Sequence, residues 1–291
     1  MLVPLFKTMR PKQWTKNVFV LAALLFSQNL LNSALLLRAV AAFGLFCLVS
    51  GCVYVFNDMA DRDRDSAHPL KSRRPIASGT LAVWPAGLLA GALLLLALLL
   101  SARLSTGTLV AVCAYLATQL LYTLALKNVV ILDVLVLAAG FVIRVVAGAV
   151  VIDVAISSWL LICTTLIALF LGLCKRRHEL TSLGDLAPQH RRVLGEYTAY
   201  LLDQMIAVVA AATVVAYALY TVSEETVAKF GTANLLYTIP FVIYGLFRYL
   251  YLVHRREEGG RPEQTLLTDP PIMAAAVLYA LTAAAVLYWP H

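Results

Sequence analysis

Apolar runs recur along the whole chain, and each is close to the length of about 20 residues that crosses a bilayer as one helix. Only 13% of the 291 residues are charged, whereas about a quarter are charged in soluble domains. Polar segments divide the runs into nine candidate helices, at residues 11–31, 34–57, 81–101, 106–126, 129–151, 156–174, 199–221, 234–253 and 271–289. The sequence therefore predicts an all-α polytopic membrane bundle of about nine transmembrane helices, in a single domain over residues 1–291.

The distribution of basic residues predicts how the chain lies in the membrane. If the N-terminus is cytoplasmic, eighteen of the 23 lysines and arginines fall in inner segments and three fall in outer segments. Short cytoplasmic connections carry such an excess in membrane proteins. We therefore expect a multi-pass protein of a bacterial-type cytoplasmic membrane, with its N-terminus inside and its C-terminus outside. Topology then explains the net charge of +7, and no nucleic acid is expected as a partner.

Most of the 16 acidic residues also lie in the inner segments. A pump or channel more often places ionisable groups through both halves of the membrane, because its substrate needs a continuous path. The one-sided distribution therefore predicts that the chemistry of this protein faces the cytoplasm.

The connection after the second predicted helix, residues 57–79, carries four aspartates and five basic residues. Asn57, Asp61 and Asp65 are spaced i, i+4, i+8, so they share one face if the helix continues beyond the apolar run. Asp58 begins a second series, at i, i+3, i+7. Mg²⁺ prefers a few carboxylates and completes its coordination with water and substrate phosphate. The spacing predicts a platform for Mg²⁺ and a diphosphate, with these four residues as metal ligands.

Basic residues follow in the same connection, at Lys71, Arg73 and Arg74. They are candidates for neutralising further phosphate charge. The alternative is a solvated loop, in which the basic residues follow the positive-inside rule and the acids merely balance them. The spacing by itself leaves both interpretations open.

A second charged cluster begins where the sixth predicted helix ends, in the sequence KRRHEL at residues 175–180. Lys175 and Glu179 are one helical turn apart, and Arg176 lies beside them. Such a mixed cluster is suited to holding an anion together with its metal. The alternative is a cationic cap on the helix C-terminus with an ion pair between residues four apart.

Four further residues are candidates for binding a phosphate or a sugar. Tyr122 and Lys127 close the fourth predicted helix on its inner side. Arg144 lies well inside the fifth, where an arginine is costly unless it is paired or lines a wet cavity. Lys16 belongs to the basic N-terminal segment, whose residues are either ordinary interface anchors or contacts to a lipid phosphate.

On these residues, the chain resembles the UbiA-type intramembrane prenyltransferase superfamily over nearly its whole length. The resemblance is carried by NxxxDxxxD at Asn57, Asp61 and Asp65, by KSRRPIASG at residues 71–79, and by the tyrosine-to-lysine element that closes the fourth helix. It implies a single UbiA-like domain of nine helices around a central cavity, open to the cytoplasmic side and laterally to lipid. It also implies a Mg²⁺-diphosphate bound over that cavity and a polyprenyl chain among the helices.

The chain departs from the superfamily pattern after the sixth helix. Typical members carry a second DxxxD motif there, whereas this chain has KRRHEL. Together with RPKQWTKN and GFVIRVVAGA, this makes the chain similar to the decaprenyl-phosphate phosphoribosyltransferase branch. That branch implies 5-phosphoribosyl 1-diphosphate as donor and a polyprenyl phosphate as acceptor, giving a lipid-linked phosphoribose for cell-envelope glycans. Additional lysine and arginine suit a site that binds three phosphorylated groups.

The resemblance implies a role for each candidate residue. Asp61 and Asp65 are expected to hold Mg²⁺ on the donor and to be catalytic together with Lys175 and Glu179. Lys16, Lys71, Arg73, Arg74, Tyr122, Lys127, Arg144 and Arg176 are expected to bind substrate. The acceptor phosphate is already an anion, so we expect no general base and an inverted anomeric centre.

Two other functions stay open. One is transfer of a polyprenyl chain from its diphosphate to an aromatic acceptor, as in quinone-type biosynthesis. The other is a transporter of lipid or solute without catalysis, which favours ionisable residues in the outer half of the spans. The chain length of the polyprenyl group and the oligomeric state are not determined by the sequence.

Overall fold

The computed structural model describes residues 2–66, 71–256, 258–260 and 262–288, and all regular structure in these ranges is helical. Eight of the described helices are long and apolar enough to cross a membrane. The α-helices of these spans are α1 (Ser33–Ala60), α2 (Val83–Leu104), α3 (Thr106–Leu124), α4 (Leu132–Val151), α5 (Ser158–Leu183), α6 (Ala199–Val222), α7 (Ile239–Arg255) and α8 (Pro270–Tyr288), and the seventh span also includes the 3₁₀-helix directly before α7. The predicted all-α membrane bundle is confirmed, and the protein is an integral multi-pass membrane protein.

Short helices begin the chain and connect the long ones. They are Leu2–Thr8, Pro11–Leu21, Ala22–Phe26, Arg62–Ser66, Lys71–Arg73, Leu126–Asn128, Gly184–Leu186, Ala187–His190, Arg192–Glu196, Glu224–Phe230, Asn234–Thr238, Glu258–Gly260 and Pro262–Thr268. Two connections show how side chains start the long helices. Asn32 accepts hydrogen bonds from the first backbone N–H groups of α1, and Thr198 accepts one from α6, because the first turn of a helix lacks internal acceptors.

The first predicted span, residues 11–31, is not one continuous α-helix. Pro11–Leu21 is a 3₁₀-helix that follows Arg10 in a left-handed conformation (φ 52°), and Ala22–Phe26 is a short α-helix. At about 2.0 Å per residue for the first and 1.5 Å for the second, they extend about 30 Å together, which matches the hydrocarbon thickness of a bilayer. The described residues contain eight spans long and apolar enough to cross a membrane, and the ninth predicted crossing stays a prediction.

One compact unit comprises residues 1–124 and 143–156. Within it α1 packs against α2, α3 and the segment Pro11–Leu21. The close approach of that segment to α4 requires a glycine, because a Cβ atom at Gly148 would collide with the backbone carbonyl of Val20.

A second compact unit comprises residues 125–142 and 157–291. Here α5 packs along α6, and α7 packs against α8. The helix α5 continues to Leu183, beyond the predicted end at residue 174, so Lys175, Arg176 and Glu179 lie on a helix. Each unit has its own apolar core, and a single domain over residues 1–291 stays a prediction beside this division.

Candidate functional site

The acidic residues after the second predicted helix lie on consecutive helical turns. α1 ends at Ala60, and the short helix Arg62–Ser66 follows it almost directly. The backbone N–H of Asp61 donates to the carbonyl of Asn57 at 2.9 Å, and that of Asp65 donates to the carbonyl of Asp61 at 2.8 Å. These bonds continue the helical pattern of the backbone through the junction.

Two arginines neutralise the buried carboxylates of this segment. Nη1 of Arg74 lies 3.2 Å from Oδ1 of Asp58 and 2.5 Å from Oδ2 of Asp65. Arg10 donates from Nη2 to the same oxygen of Asp58, and its guanidinium lies over the ring of Tyr54, 4.8 Å from the centroid. Asp58 and Asp65 are almost completely buried, so burial without cationic partners would be costly. We name Arg10, Asp58, Asp65 and Arg74 the carboxylate–arginine cluster.

Asn57 and Asp61, the other two predicted metal ligands, are half-buried beside this cluster. Oδ1 of Asn57 accepts a hydrogen bond from Thr123 at 3.2 Å, which holds the end of α3 against α1. Oδ1 of Asp61 lies 3.8 Å from Nη1 of Arg64, an exposed residue.

A divalent cation fits the oxygen ligands of this segment by chemistry. Asp58 and Asp65 each direct one oxygen to Nη1 of Arg74. The position of this nitrogen is therefore one where two carboxylates surround a positive charge. Hard oxygens on such a position are what Mg²⁺ binds. Among the residues described, three His, Cys, Asp or Glu side chains are nowhere gathered closely enough to form a complete metal site. Substrate oxygens or water would therefore supply the remaining ligands.

The turn after Lys71–Arg73 positions Arg74. Ile76 is buried and packs in an apolar cluster of the first unit, and the N–H of Leu81 donates to the carbonyl of Pro75 at 2.9 Å. Gly79 has φ 76°, a conformation that glycine adopts readily. This anchored turn directs Arg74 toward the carboxylates, while Arg73 is exposed and Lys71 is half-buried.

A second charged cluster lies in the second unit around Asp133. Nε of Arg176 donates to Oδ2 of Asp133 at 2.7 Å, and Nη1 of Arg176 donates to Glu179. Nη2 of Arg191 lies 3.7 Å from the same Oδ2 and donates to the backbone carbonyl of Lys127 at 3.3 Å. We name these residues, with Tyr197, the Asp133 cluster. Within it the guanidinium of Arg176 is buried and engaged by two carboxylates.

Tyr197 connects this cluster to a strained turn. Its hydroxyl donates to Oδ1 of Asp133 at 2.8 Å and accepts from the backbone N–H of Ile131 at 2.7 Å. Ile131 has φ 70°, a region that β-branched residues rarely occupy, so the turn that carries Lys127 needs support from its surroundings. Burial raises the pKa of Tyr197 to about 12, so the hydroxyl keeps its proton at physiological pH.

Arg144 is buried inside the first unit rather than lying on a surface. Nε donates to Oδ1 of Asn17 at 2.8 Å, Nη2 donates to the hydroxyl of Tyr115 at 2.9 Å, and the guanidinium lies over the Tyr115 ring. Asn17 in turn donates to Ser50 at 3.2 Å. Arg144 thus ties the segment Pro11–Leu21 to the interior, and its predicted contact to phosphate stays a prediction.

The structure places the candidate residues in two groups. Asn57, Asp58, Asp61, Asp65 and Arg74 lie close together in the first unit, which also contains Lys16, Lys71, Arg73, Tyr122 and Arg144. Lys127, Lys175, Arg176 and Glu179 lie in the second unit around Asp133.

The sequence did not identify Arg191 and Tyr197 as site residues, and it indicated Arg10 only as part of the basic N-terminal segment, whose residues either anchor at the interface or contact a lipid phosphate. Arg10 carries a weak signal, as a basic residue directly before a proline in the N-terminal segment. The distant partners of Arg191 and Tyr197, at Lys127, Ile131 and Asp133, leave no local pattern in the sequence.

Comparisons with known proteins extend over both groups of residues. The model of the family described as the UbiA prenyltransferase family matches residues 17–267. The chain is 32% identical to the decaprenyl-phosphate phosphoribosyltransferase of Mycolicibacterium smegmatis, over 98% of this chain and 92% of that protein. It is also 32% identical to the Corynebacterium glutamicum protein of the same name, over 94% of this chain and 84% of that protein.

A solved structure has the same fold. It is that of a UbiA homolog from Archaeoglobus fulgidus bound to GPP and Mg²⁺, and the likeness covers 98% of this chain and 99% of that chain. The TM-score is 0.72 and the sequence identity is 19%, so this likeness concerns the fold alone.

Proposed function

Because this chain belongs to the UbiA prenyltransferase family, we propose that it is a membrane transferase that uses 5-phosphoribosyl 1-diphosphate as donor and a polyprenyl phosphate as acceptor. The product is a lipid-linked phosphoribose, a precursor for cell-envelope glycans. The observation that carries the proposal is 32% identity over nearly the whole chain to proteins named decaprenyl-phosphate phosphoribosyltransferase.

The balance of charges in the two clusters supports a donor and an acceptor that are both phosphorylated. In the first unit Arg10 and Arg74 accompany the carboxylates of Asp58 and Asp65. In the second unit a lysine and two arginines, at residues 175–177, stand where typical members of the superfamily have a second acidic motif. Guanidinium and ammonium groups bind phosphate oxygens through charge-assisted hydrogen bonds, so this composition suits several phosphates.

Mg²⁺ is the cofactor in this proposal. Asn57, Asp58, Asp61 and Asp65 would hold it. This assignment is supported by the oxygens of Asp58 and Asp65, which converge on Nη1 of Arg74. When bound, the ion neutralises charge on the donor diphosphate and so makes that group a better leaving group.

The protein groups bind, orient and neutralise. Arg74, Lys71 and Arg73 contact donor phosphates, and Lys175 and Lys127 contact phosphate from the second unit. Tyr122 is a candidate for orienting the ribose or a cation, and Glu179 is another. The acceptor phosphate is ionised at physiological pH, so the residues orient it and none needs to remove a proton. Attack opposite to the leaving diphosphate inverts the anomeric centre.

Buried residues contribute by holding these groups in place. Arg176 is engaged by Asp133 and Glu179, and Arg144 is engaged by Asn17 and Tyr115. Each therefore fixes neighbouring segments, while Lys16 lies in the segment that Arg144 anchors. Transfer requires the donor and the acceptor phosphate in the correct geometry, so residues that fix the binding segments contribute to the rate.

The orientation in the membrane is part of the proposal. The excess of basic residues in alternate connections supports a cytoplasmic N-terminus and a site that faces the cytoplasm, in a bacterial cytoplasmic membrane. The soluble donor then enters from the cytoplasm, and the polyprenyl chain of the acceptor stays in lipid between helices.

A transfer assay with two pairs of substrates tests this function. Purified protein in lipid vesicles receives Mg²⁺, radiolabelled 5-phosphoribosyl 1-diphosphate and decaprenyl phosphate, and the lipid phase is extracted. We expect label in the lipid phase that depends on the acceptor. A parallel reaction contains a polyprenyl diphosphate and an aromatic acid. Prenylation of the acid without labelled lipid in the first reaction would replace the proposed function with prenyl transfer.

A further inference from the structure

One carboxylate oxygen in the carboxylate–arginine cluster serves two cations. Oδ1 of Asp58 accepts from Nη2 of Arg10 and lies 3.2 Å from Nη1 of Arg74. The same Nη1 lies 2.5 Å from Oδ2 of Asp65. Two buried carboxylates thus share two guanidiniums, and the four charges balance.

A divalent cation and Arg74 need the same oxygens. Mg²⁺ binds its oxygen ligands at about 2.0–2.1 Å and demands a nearly ideal octahedron. A guanidinium nitrogen 2.5 Å from Asp65 and 3.2 Å from Asp58 lies within that coordination space. Binding of the cation between Asp58 and Asp65 therefore requires Arg74 to leave, and it weakens the hold of Asp58 on Arg10.

Displaced guanidiniums need another anion. The side chains of Arg10 and Arg74 are each about 70% buried, being 30% and 28% exposed, so neither returns fully to water. A buried charge that loses its partner raises the free energy of the protein substantially. A diphosphate bound to the same cation would bring several anionic oxygens to both arginines.

We propose that Arg10 and Arg74 compete with the divalent cation for Asp58 and Asp65, and that the donor diphosphate ends this competition by accepting both guanidiniums. Cation and diphosphate then bind as an interdependent pair. The proposal rests on the proposed function, since it assumes that a diphosphate donor binds at this cluster. It adds that Arg10 and Arg74 lower the affinity for the cation alone and raise it when a diphosphate is present.

Arg10 has the backbone geometry for such an exchange. Its left-handed conformation (φ 52°, ψ 64°) lies directly before Pro11, at the junction of two helical segments. Trp14 donates from its indole nitrogen to the carbonyl of Met9 at 3.2 Å, which fixes the turn on both sides of Arg10. The side chain therefore changes partner from a fixed backbone position.

Binding of Mn²⁺, measured by electron paramagnetic resonance on the purified full-length protein, tests the proposal. With Mn²⁺ alone, we expect Arg74→Gln and Arg10→Gln to bind the ion at least tenfold more tightly than the unaltered protein. Arg62→Gln, an exposed arginine on the short helix that carries Asp65, removes the same charge from the same segment and is the matched control. We expect its affinity to change less than twofold.

Inorganic pyrophosphate supplies the second half of the test. After correction for the Mn²⁺–pyrophosphate complex in solution, we expect pyrophosphate to raise the affinity of the unaltered protein for Mn²⁺ and to lose most of this effect in Arg74→Gln. Melting temperatures without ligand show that each variant is folded, and Arg10→Gln provides the test if Arg74→Gln is not.

Equal or weaker binding of Mn²⁺ alone in the folded arginine variants would overturn the proposal, as would an equal gain in Arg62→Gln. The readout is binding and does not use the phosphoribosyl donor. Competition without phosphoribosyl transfer would support the exchange of partners by the arginines and reject the proposed donor. Transfer without competition would support the proposed donor and reject the exchange.

Discussion

Arg176 donates from Nε to Oδ2 of Asp133 at 2.7 Å, and both side chains are almost wholly excluded from solvent, at 1% and 0% exposure. Asp133 also binds Arg191 and Tyr197, which in turn contact the backbone of the turn at residues 127–131. A single carboxylate thus holds α4, α5 and the connection before α6 together. We therefore expect that the main role of Asp133 is to hold its neighbouring residues in position.

Removing the carboxylate should destabilise the second unit. Asp133→Ala removes the carboxylate that accepts from Nε of the buried Arg176, and breaking a buried ion pair in this way costs about 3–5 kcal/mol. Unfolding by denaturant in detergent micelles measures this loss. Asp185→Ala removes an exposed carboxylate from the connection after α5 and serves as control, with a change below about 0.5 kcal/mol expected. A similarly small change for Asp133→Ala would contradict the assigned role.

The raised pKa of Tyr197 predicts how the stability of the folded protein changes at alkaline pH. Burial raises its pKa to about 12 in the folded protein, whereas an unfolded tyrosine titrates near 10. Its contribution to stability is therefore complete below about pH 10 and is lost as the pH rises through about 12. The melting temperature of the unaltered protein should fall more steeply in this range than that of Tyr197→Phe.

The matched control for this slope is Tyr200→Phe, which removes the hydroxyl of an exposed tyrosine near the start of α6. It should keep the slope of the unaltered protein. Equal slopes for Tyr197→Phe and the unaltered protein would show that Tyr197 does not hold its proton more tightly when folded.

Gly148 tests the close approach between α4 and the first helical segment. A methyl group at this position would meet the backbone carbonyl of Val20, which cannot move without the segment. Gly148→Ala should therefore destabilise the first unit by about 1–3 kcal/mol, the usual range for overpacking. Gly44→Ala adds the same methyl group to α1 where nothing lies within 4 Å, and should be neutral or slightly stabilising. Equal stability of the two variants would exclude this close contact.

Substitution of Asp61 should lower activity without unfolding the protein. Its side chain is partly exposed, and its contact to Arg64 at 3.8 Å is a weak surface pair. Asp61→Asn should lower Mg²⁺-dependent transfer by more than about a hundredfold, because even groups that only support metal ligands contribute 10–100-fold. Its melting temperature should stay close to that of the unaltered protein. Asp63→Asn, an exposed neighbour, is the control, and full activity in Asp61→Asn would remove this residue from the metal site.

The fold was predictable where periodic apolar patterns determine it. The eight long helices coincide with predicted spans because a bilayer favours long apolar helices with internally paired backbones. The first span was mispredicted as one α-helix because hydropathy indicates an apolar segment and does not distinguish a 3₁₀-helix from an α-helix. The end of α5 was predicted too early because hydropathy falls where the charged residues begin, although the helix continues through them.

The site was predictable only as far as its residues are close in sequence. The spacing of Asn57, Asp61 and Asp65 gave the helical turns correctly, since it follows from helix geometry alone. The pairing of Arg10 with Asp58 joins residues 48 positions apart, and that of Arg144 with Asn17 joins residues 127 apart. Such contacts depend on the packing of the helices, which no local pattern in the sequence specifies.

The identity of the transferred group tests the proposed function most directly, and mass spectrometry of the lipid product from a single mixture measures it. The mixture contains the purified protein in vesicles, Mg²⁺, 5-phosphoribosyl 1-diphosphate, decaprenyl phosphate, a polyprenyl diphosphate and an aromatic acid. We expect phosphoribosylated decaprenyl phosphate, released diphosphate in equal amount, and no prenylated acid. Prenylated acid with unchanged decaprenyl phosphate would contradict the proposed function.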